Sequence, residues 1–157
     1  MKTVLVCVGK TDSAYLQTGI GDYAGRLPHY VPFEMVVVPD VKNSRTLTEE
    51  QQKLAEGKLI LSQLEASDIV VLLDEGGRQF TSRQFAQFFT KIALSGARRL
   101  VFVIGGPYGF SGEVYARATY KMSLSPMTFS HQMVRLIFLE QLYRAQTIIR
   151  GEPYHHD

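Results

Sequence analysis

The chain has 157 residues, 45% apolar and 20% charged, and its 17 Lys and Arg against 15 Asp and Glu leave a net charge of +2. These values exclude a disordered chain, a miniprotein held by disulfides (Cys7 is the single cysteine) and a strongly basic nucleic-acid binder, while leaving RNA contact open. A chain of this size buries roughly 70% of the surface its unfolded form exposes, so one domain over residues 1–157 with its own core is expected.

Taken in chain order, Thr3–Val8 is short, β-branched and apolar, as a strand buried on both faces would be. It is too short for a signal peptide, and no apolar stretch approaches the ~20 residues of a membrane span, so a soluble cytoplasmic protein is expected. Cys7 lies inside this run and reads as a small buried hydrophobe rather than a reactive thiol. Ala14–Leu27 has helical periodicity, Phe33–Val38 is a second strand, and the polar Asp40–Arg45 is a solvent loop. Thr46 or Thr48 then precedes Glu49 and Glu50, a helix start for Thr48–Glu65.

Ile69–Asp74 is a third strand, followed by a helix over Ser82–Ser95 that Thr81 or Ser82 can cap and Gly96 can end. Leu100–Ile104 is a fourth strand, Gly112–Thr119 a short helix, and Lys121–Ser125 a weaker strand. Ser130 introduces the longest helix, His131–Arg150, which Gly151 and Pro153 terminate. Leu139 and Leu142 widen its apolar stripe, which predicts packing against more than one neighbour. The alternation predicts an α/β domain with a mostly parallel sheet flanked by helices.

Ligands of such sheets bind beyond the carboxyl ends of the strands, where three segments fall: Leu72–Arg78, Ile104–Phe110 and Ser123–His131. Gly105 and Gly106 remove side chains where a strand leaves the sheet, and Gly109 suits a turn; either a bare tight turn or a backbone-read nucleoside fits. Neither the G-x-G-x-x-G dinucleotide fingerprint nor a phosphate loop is present, which disfavours a dinucleotide-binding or flavodoxin-like protein. The third segment mixes Leu124, Met127 and Phe129 with Ser125, Thr128 and Ser130, as either a core connection or a wrap around an adenine.

His29, His131, His155 and His156 assemble no familiar metal spacing. His131 reads as a helix-terminal hydrogen-bonding residue or a site residue. Pro153–Asp157 reads as a frayed end or an aromatic–imidazole cluster that completes a site. Arg98, Arg99, Arg135, Arg144 and Arg150 are solvated, ion-paired or available to RNA phosphate.

Phe102–Gly109, Leu124–Arg135, Glu140–Ala145 and Pro153–His155 together carry a specific resemblance, which extends to Val8-Gly9-Lys10 and covers nearly the whole chain. In them the chain resembles the SPOUT-class family of large-subunit ribosomal RNA pseudouridine N3-methyltransferases. The resemblance implies a C-terminal trefoil knot, where pattern alone gives an unknotted doubly wound sheet. It also implies S-adenosylmethionine as methyl donor without a metal, and a homodimer with shared sites that acts on ribosomal RNA in the assembled ribosome. By position, Leu73, Gly105 and Leu124, Ser125, Pro126, Met127, Thr128 and Phe129 contact the donor, with Gly106 and Gly109 shaping the pocket. His131, Arg135, Tyr154 and His155 fall on the substrate side, where His155 is the candidate base and Arg135 or Arg144 the phosphate holder. Many family members end with a basic residue after the Tyr-His pair, whereas this chain has His156, only partly charged near neutral pH.

Overall fold

The computed structural model describes residues 1–157, in which strands and helices alternate from one end to the other. The strands are β1 (Lys2–Val8), β2 (Phe33–Val38), β3 (Ile69–Gln79), β4 (Arg99–Ile104) and β5 (Tyr120–Ser123). The helices are α1 (Ala14–Arg26), α2 (Glu49–Leu61), α3 (Ser82–Leu94), α4 (Gly112–Arg117) and α5 (Met133–Arg150). All strand pairs are parallel, in the order β2-β1-β4-β3-β5.

The two-residue period of the strands sorts the core onto both faces of the sheet. Leu5, Cys7, Leu100, Phe102 and Ile104 point to the face covered by α1, α3 and α5. Val4, Val6, Val8, Val101 and Val103 point to the face covered by α2 and α4. Each such side chain taken wholly out of water contributes roughly 1.5–3 kcal/mol, so β1 and β4, buried almost end to end, anchor the domain. Cys7 is fully buried, and burial pushes its thiol up to about 12, so it packs as a hydrophobe.

Local chemistry sets the helix starts. Thr48 and Thr81 each form a reciprocal capping box, with Gln51 and Gln84 respectively. Ser130 Oγ accepts the Met133 N–H at 2.9 Å ahead of α5, and Gly151 closes that helix at φ +71°. α5 contacts both α1 and α3, as its wide apolar stripe predicts.

The largest departure from the pattern is β3. Its reading as a strand ending at Asp74 is too short, because pairing with β5 resumes at Arg78 and Gln79 after an irregularity. Glycine is usually poor in strands, yet Gly76 and Gly77 lie inside this one. The backbone of β5 runs so close to Gly77 that a Cβ there would lie 2.6 Å from the Lys121 carbonyl carbon and the Met122 nitrogen.

Candidate active site at the carboxyl ends of the strands

Residues from all three segments singled out from sequence converge on one cavity of about 430 Å³, beside the irregularity in the middle of β3 and the carboxyl ends of β4 and β5. Leu73, Gly105, Gly106, Gly109 and every residue from Leu124 to Phe129 except Pro126 line it. Pro126 lies in the same loop, exposed to solvent.

Backbone shape makes the first wall. A Cβ on Gly105 would approach the Phe110 ring to 3.0 Å, and one on Gly106 would stand 2.6 Å from both Glu56 carboxylate oxygens. Gly109, at φ +84°, returns its N–H to the Gly106 carbonyl at 3.2 Å. The turn is therefore held by close packing and its own hydrogen bond.

Hydroxyls organise the second wall. Ser123 Oγ donates to the Ser125 carbonyl at 2.9 Å, and Ser125 Oγ accepts the Met127 N–H at 3.0 Å. These bonds curl the Leu124–Phe129 loop around the opening. Met127 itself is 75% exposed at the rim, an apolar side chain free to close over a ligand.

Sequence reasoning passed over Tyr115 and Met122, which also line the cavity. Tyr115 donates its hydroxyl to Asp74 Oδ1 at 2.6 Å, and burial followed by that carboxylate pushes its phenol up to about 12. No local motif marks it, because α4 is too short to show a clear periodicity.

His131 lines the cavity where the chain enters α5. Burial, then the Arg135 cation, hold its imidazole below the ordinary 6.5, against opposing pulls from Asp12 and Asp40. This favours the neutral ring.

Arg135 departs from the expected phosphate contact. Its side chain is wholly buried, donating to the carbonyls of Val8 at 2.6 Å and Gly9 at 2.7 Å, to Thr11 Oγ1 at 3.1 Å and to the His131 carbonyl at 3.2 Å. Gln132 adds a clasp: Oε1 accepts from Asp12 N and Nε2 donates to the Lys10 carbonyl, both at 3.0 Å. The Val8-Gly9-Lys10 and His131–Arg135 segments thus lock together, with the arginine as their bolt.

Tyr154 and His155 do not line this cavity. Pro153–Asp157 folds back on α5, where Tyr154 donates to Glu140 and His155 meets Arg144 at 3.2 Å. An arginine can only donate, so His155 Nδ1 accepts and its Nε2 carries the proton, facing Asp157 Oδ1 at 2.8 Å. Asp157 is in turn held by Arg83 of α3 at 2.8 Å. Arg144 is committed to Glu140 and His155, and Arg150 to the His29 carbonyl and the Tyr30 ring. Arg98 and Arg99 stand at the amino end of β4, opposite the cavity, where Arg99 pairs with Glu65 and Asp68.

The residues present suit a nucleoside-bearing donor. A part-apolar cleft with glycine backbone on one side and a hydroxyl-pinned loop on the other can enclose a purine and read its edges. No group of three or more His, Cys, Asp or Glu side chains is placed to hold a metal ion.

The family model described as "Predicted SPOUT methyltransferase" matches residues 1–155. Relatives that share the name "Ribosomal RNA large subunit methyltransferase H" align from end to end. The one from Parabacteroides distasonis is 57% identical over 157 residues, all of both chains. Those from Christiangramia forsetii and Flavobacterium johnsoniae are 58% and 56% identical over 156 residues, 99% of each chain. With the family model matching residues 1–155 and the likeness to these relatives spanning the full length, the chain belongs to the SPOUT methyltransferase family.

Proposed function

We propose that this chain is an S-adenosylmethionine-dependent methyltransferase of large-subunit ribosomal RNA, acting on N3 of a pseudouridine in the assembled ribosome. The observation that carries the reading is the cavity beside the middle of β3 and the carboxyl ends of β4 and β5, lined by all but Pro126 of the residues the motifs assign to the donor. End-to-end identity with relatives named as large-subunit ribosomal RNA methyltransferases supports the substrate class. The reading places the protein in the cytoplasm, where ribosomes are; no helix is long and apolar enough to cross a membrane.

Leu73, Gly105 and the Leu124–Phe129 loop would hold the donor, with Gly106 and Gly109 shaping the turn. The chemistry it supplies is an electrophilic methyl group on a sulfonium, which needs no metal. The protein's task is to present a nitrogen lone pair in line with that methyl and to exclude water. N3 of the base carries a proton and lies on its pairing edge, so the nucleotide must be unpaired or flipped out. A positioned base aids the proton's departure, typically by ~10²–10⁴-fold.

We assign that role to His155, with Tyr154 as its neighbour, in a homodimer where the last residues of one subunit complete the cavity of the other. This is in keeping with a single chain in which those residues rest on α5, outside the cavity. Action as a base requires His155 Nδ1 to leave Arg144. Arg135 belongs to the scaffold of the site, and the C-terminal knot of the family would wrap the same loops.

The test is methyl transfer from labelled S-adenosylmethionine to ribosomes from a strain lacking this protein, mapped by nuclease digestion and mass spectrometry. Label on N3 of one large-subunit pseudouridine is expected. Label on another nucleotide or a ribose would correct the substrate, and donor binding without transfer would make the chain a binding module. His155→Ala that retains near-normal single-turnover transfer would remove the base role.

A further inference from the structure

A second cavity, of about 350 Å³, opens on the other side of β5, between that edge strand and α3. Its floor is aromatic: Phe80 and Phe88 have ring centroids 4.9 Å apart, and Phe88 meets Tyr120 edge-on at 5.2 Å. Tyr120 is 45% exposed, a large ring with part of its surface open to solvent. Around this floor stand Arg78, Lys91 and Lys121, with no acidic residue in the lining.

None of these cations takes part in an ion pair, whereas Arg26, Arg83, Arg99 and Arg144 all do. Arg78 lays its guanidinium 4.6 Å over the Phe80 ring, which leaves its donors free. Gln84 is engaged in the α3 capping box, but Gln87 has a free amide at the rim. An exposed aromatic ring, Tyr120, on a half-buried aromatic floor beside unpaired cations forms the pattern that stacks a base and tracks a phosphate backbone.

The cavity also lies next to the donor site. Lys121 lines it, while the Lys121 ammonium lies 5.7 Å over the ring of Tyr115, a wall of the donor cavity. The next residue, Met122, lines the donor cavity itself.

We propose that this basic aromatic cleft at the β5 edge is a docking site for an unpaired stretch of RNA flanking the target nucleotide. Arg78 and Lys91 take phosphate there, and Tyr120 offers a face to a base. The proposal deepens the reading of the chain as a ribosomal RNA methyltransferase and rests on it. It supplies RNA contacts that the arginines of α5 and those before β4, buried, paired or facing away, leave unfilled.

The test uses Arg78→Ala, Lys91→Ala and Tyr120→Ala in the full chain with ribosomes as substrate. Arg78 and Lys91 are exposed, so their variants retain the fold. Each variant is expected to raise KM for ribosomes roughly five- to tenfold with kcat and donor affinity unchanged. Losing one phosphate contact should also flatten the slope of log affinity against log salt by about 0.7. Unchanged KM in Arg78→Ala and Lys91→Ala would overturn the proposal, as would an altered oligomeric mass, which marks the cleft as a subunit contact. Binding of a fluorescent single-stranded RNA oligonucleotide separates this proposal from the functional reading. If the wild type fails to methylate ribosomes but binds the oligonucleotide more tightly than these variants do, the cleft stands and the substrate assignment falls.

Discussion

Tyr154 donates its phenolic proton to Glu140 across 3.0 Å, and this bond ties the residues beyond α5 to the middle of the same helix. The ring sits edge-on to Tyr143, and the Arg144 guanidinium lies 4.8 Å from its centroid. Burial, together with bonds to Tyr23 and Glu140, holds the phenol above its ordinary value, so the hydroxyl stays protonated as a donor.

Tyr154→Phe keeps the ring and removes the donor. It should cost about 1 kcal/mol, which is about 2–4 °C in melting temperature for a chain of this length. Donor affinity, measured by calorimetry, should not change, because Tyr154 does not line the cavity of its own chain and its proposed place in the dimer is on the substrate side. A methyl-transfer rate that falls much further than stability does would assign the hydroxyl to the reaction; equal, small losses would make it a structural tie.

Arg135→Met tests the scaffold role. The substitution strands the Val8 and Gly9 carbonyls, both buried acceptors, at about 1–3 kcal/mol each, and melting should drop by on the order of 10 °C. Arg135→Lys, which can still reach one acceptor, should recover part of the loss. A variant that melts normally yet shows a raised KM for ribosomes would return Arg135 to the phosphate-holding role.

The strands and helices were legible because each carries its own signal: two-sided apolar runs for β1 and β4, capping residues before α2 and α3, glycine after α5. The loops that line the cavity were legible through motif resemblance, since their glycines and hydroxyls stand in short contiguous runs. Arg135 was not. Its partners Val8, Gly9 and Thr11 stand more than 120 residues away in sequence, and an arginine on a helix reads as solvated until the end of β1 is packed beneath it. The placement of Tyr154 and His155 against α5 likewise depends on a chain reversal at Gly151 whose direction no periodicity encodes. β3 was cut short because a strand glycine required by the nearness of another backbone is spelled the same way as a loop glycine.

That ambiguity gives a paired test. In Gly77→Ala the new Cβ meets β5 backbone at 2.6 Å, and backbone cannot rotate aside. The substitution should cost about 1–3 kcal/mol and weaken donor binding, because Met122 and Ser123 of β5 line the cavity. In Gly76→Ala the nearest atom is Asp74 Oδ2, at 3.2 Å on a movable side chain. Its melting temperature and donor affinity should stay near wild type. Equal effects of the two would mean that β5 yields, and the close approach would not be what keeps glycine at position 77.

Glu56 gives the pH prediction. It is 4% exposed, its Oε2 accepts from Gln52 at 3.1 Å, its Oε1 has no partner, and Gly106 packs against it. Burial raises its carboxyl above 4.5, Asp40 adds to the rise, and the Gln52 bond opposes it. A raised acid means that the folded state holds the proton more tightly than the unfolded chain does. Stability from this group is therefore greatest below the unfolded value of 4.5 and is lost as pH climbs through the raised folded value. Glu56→Gln cannot ionise, so it should melt close to wild type at about pH 4 and above it at about pH 8. A melting difference that stays constant across that range would show that ionisation of Glu56 is not what limits stability. If the stabilised variant also binds donor less well, the buried charge beneath Gly106 serves the turn that holds the donor, which is why a destabilising carboxylate would be kept there.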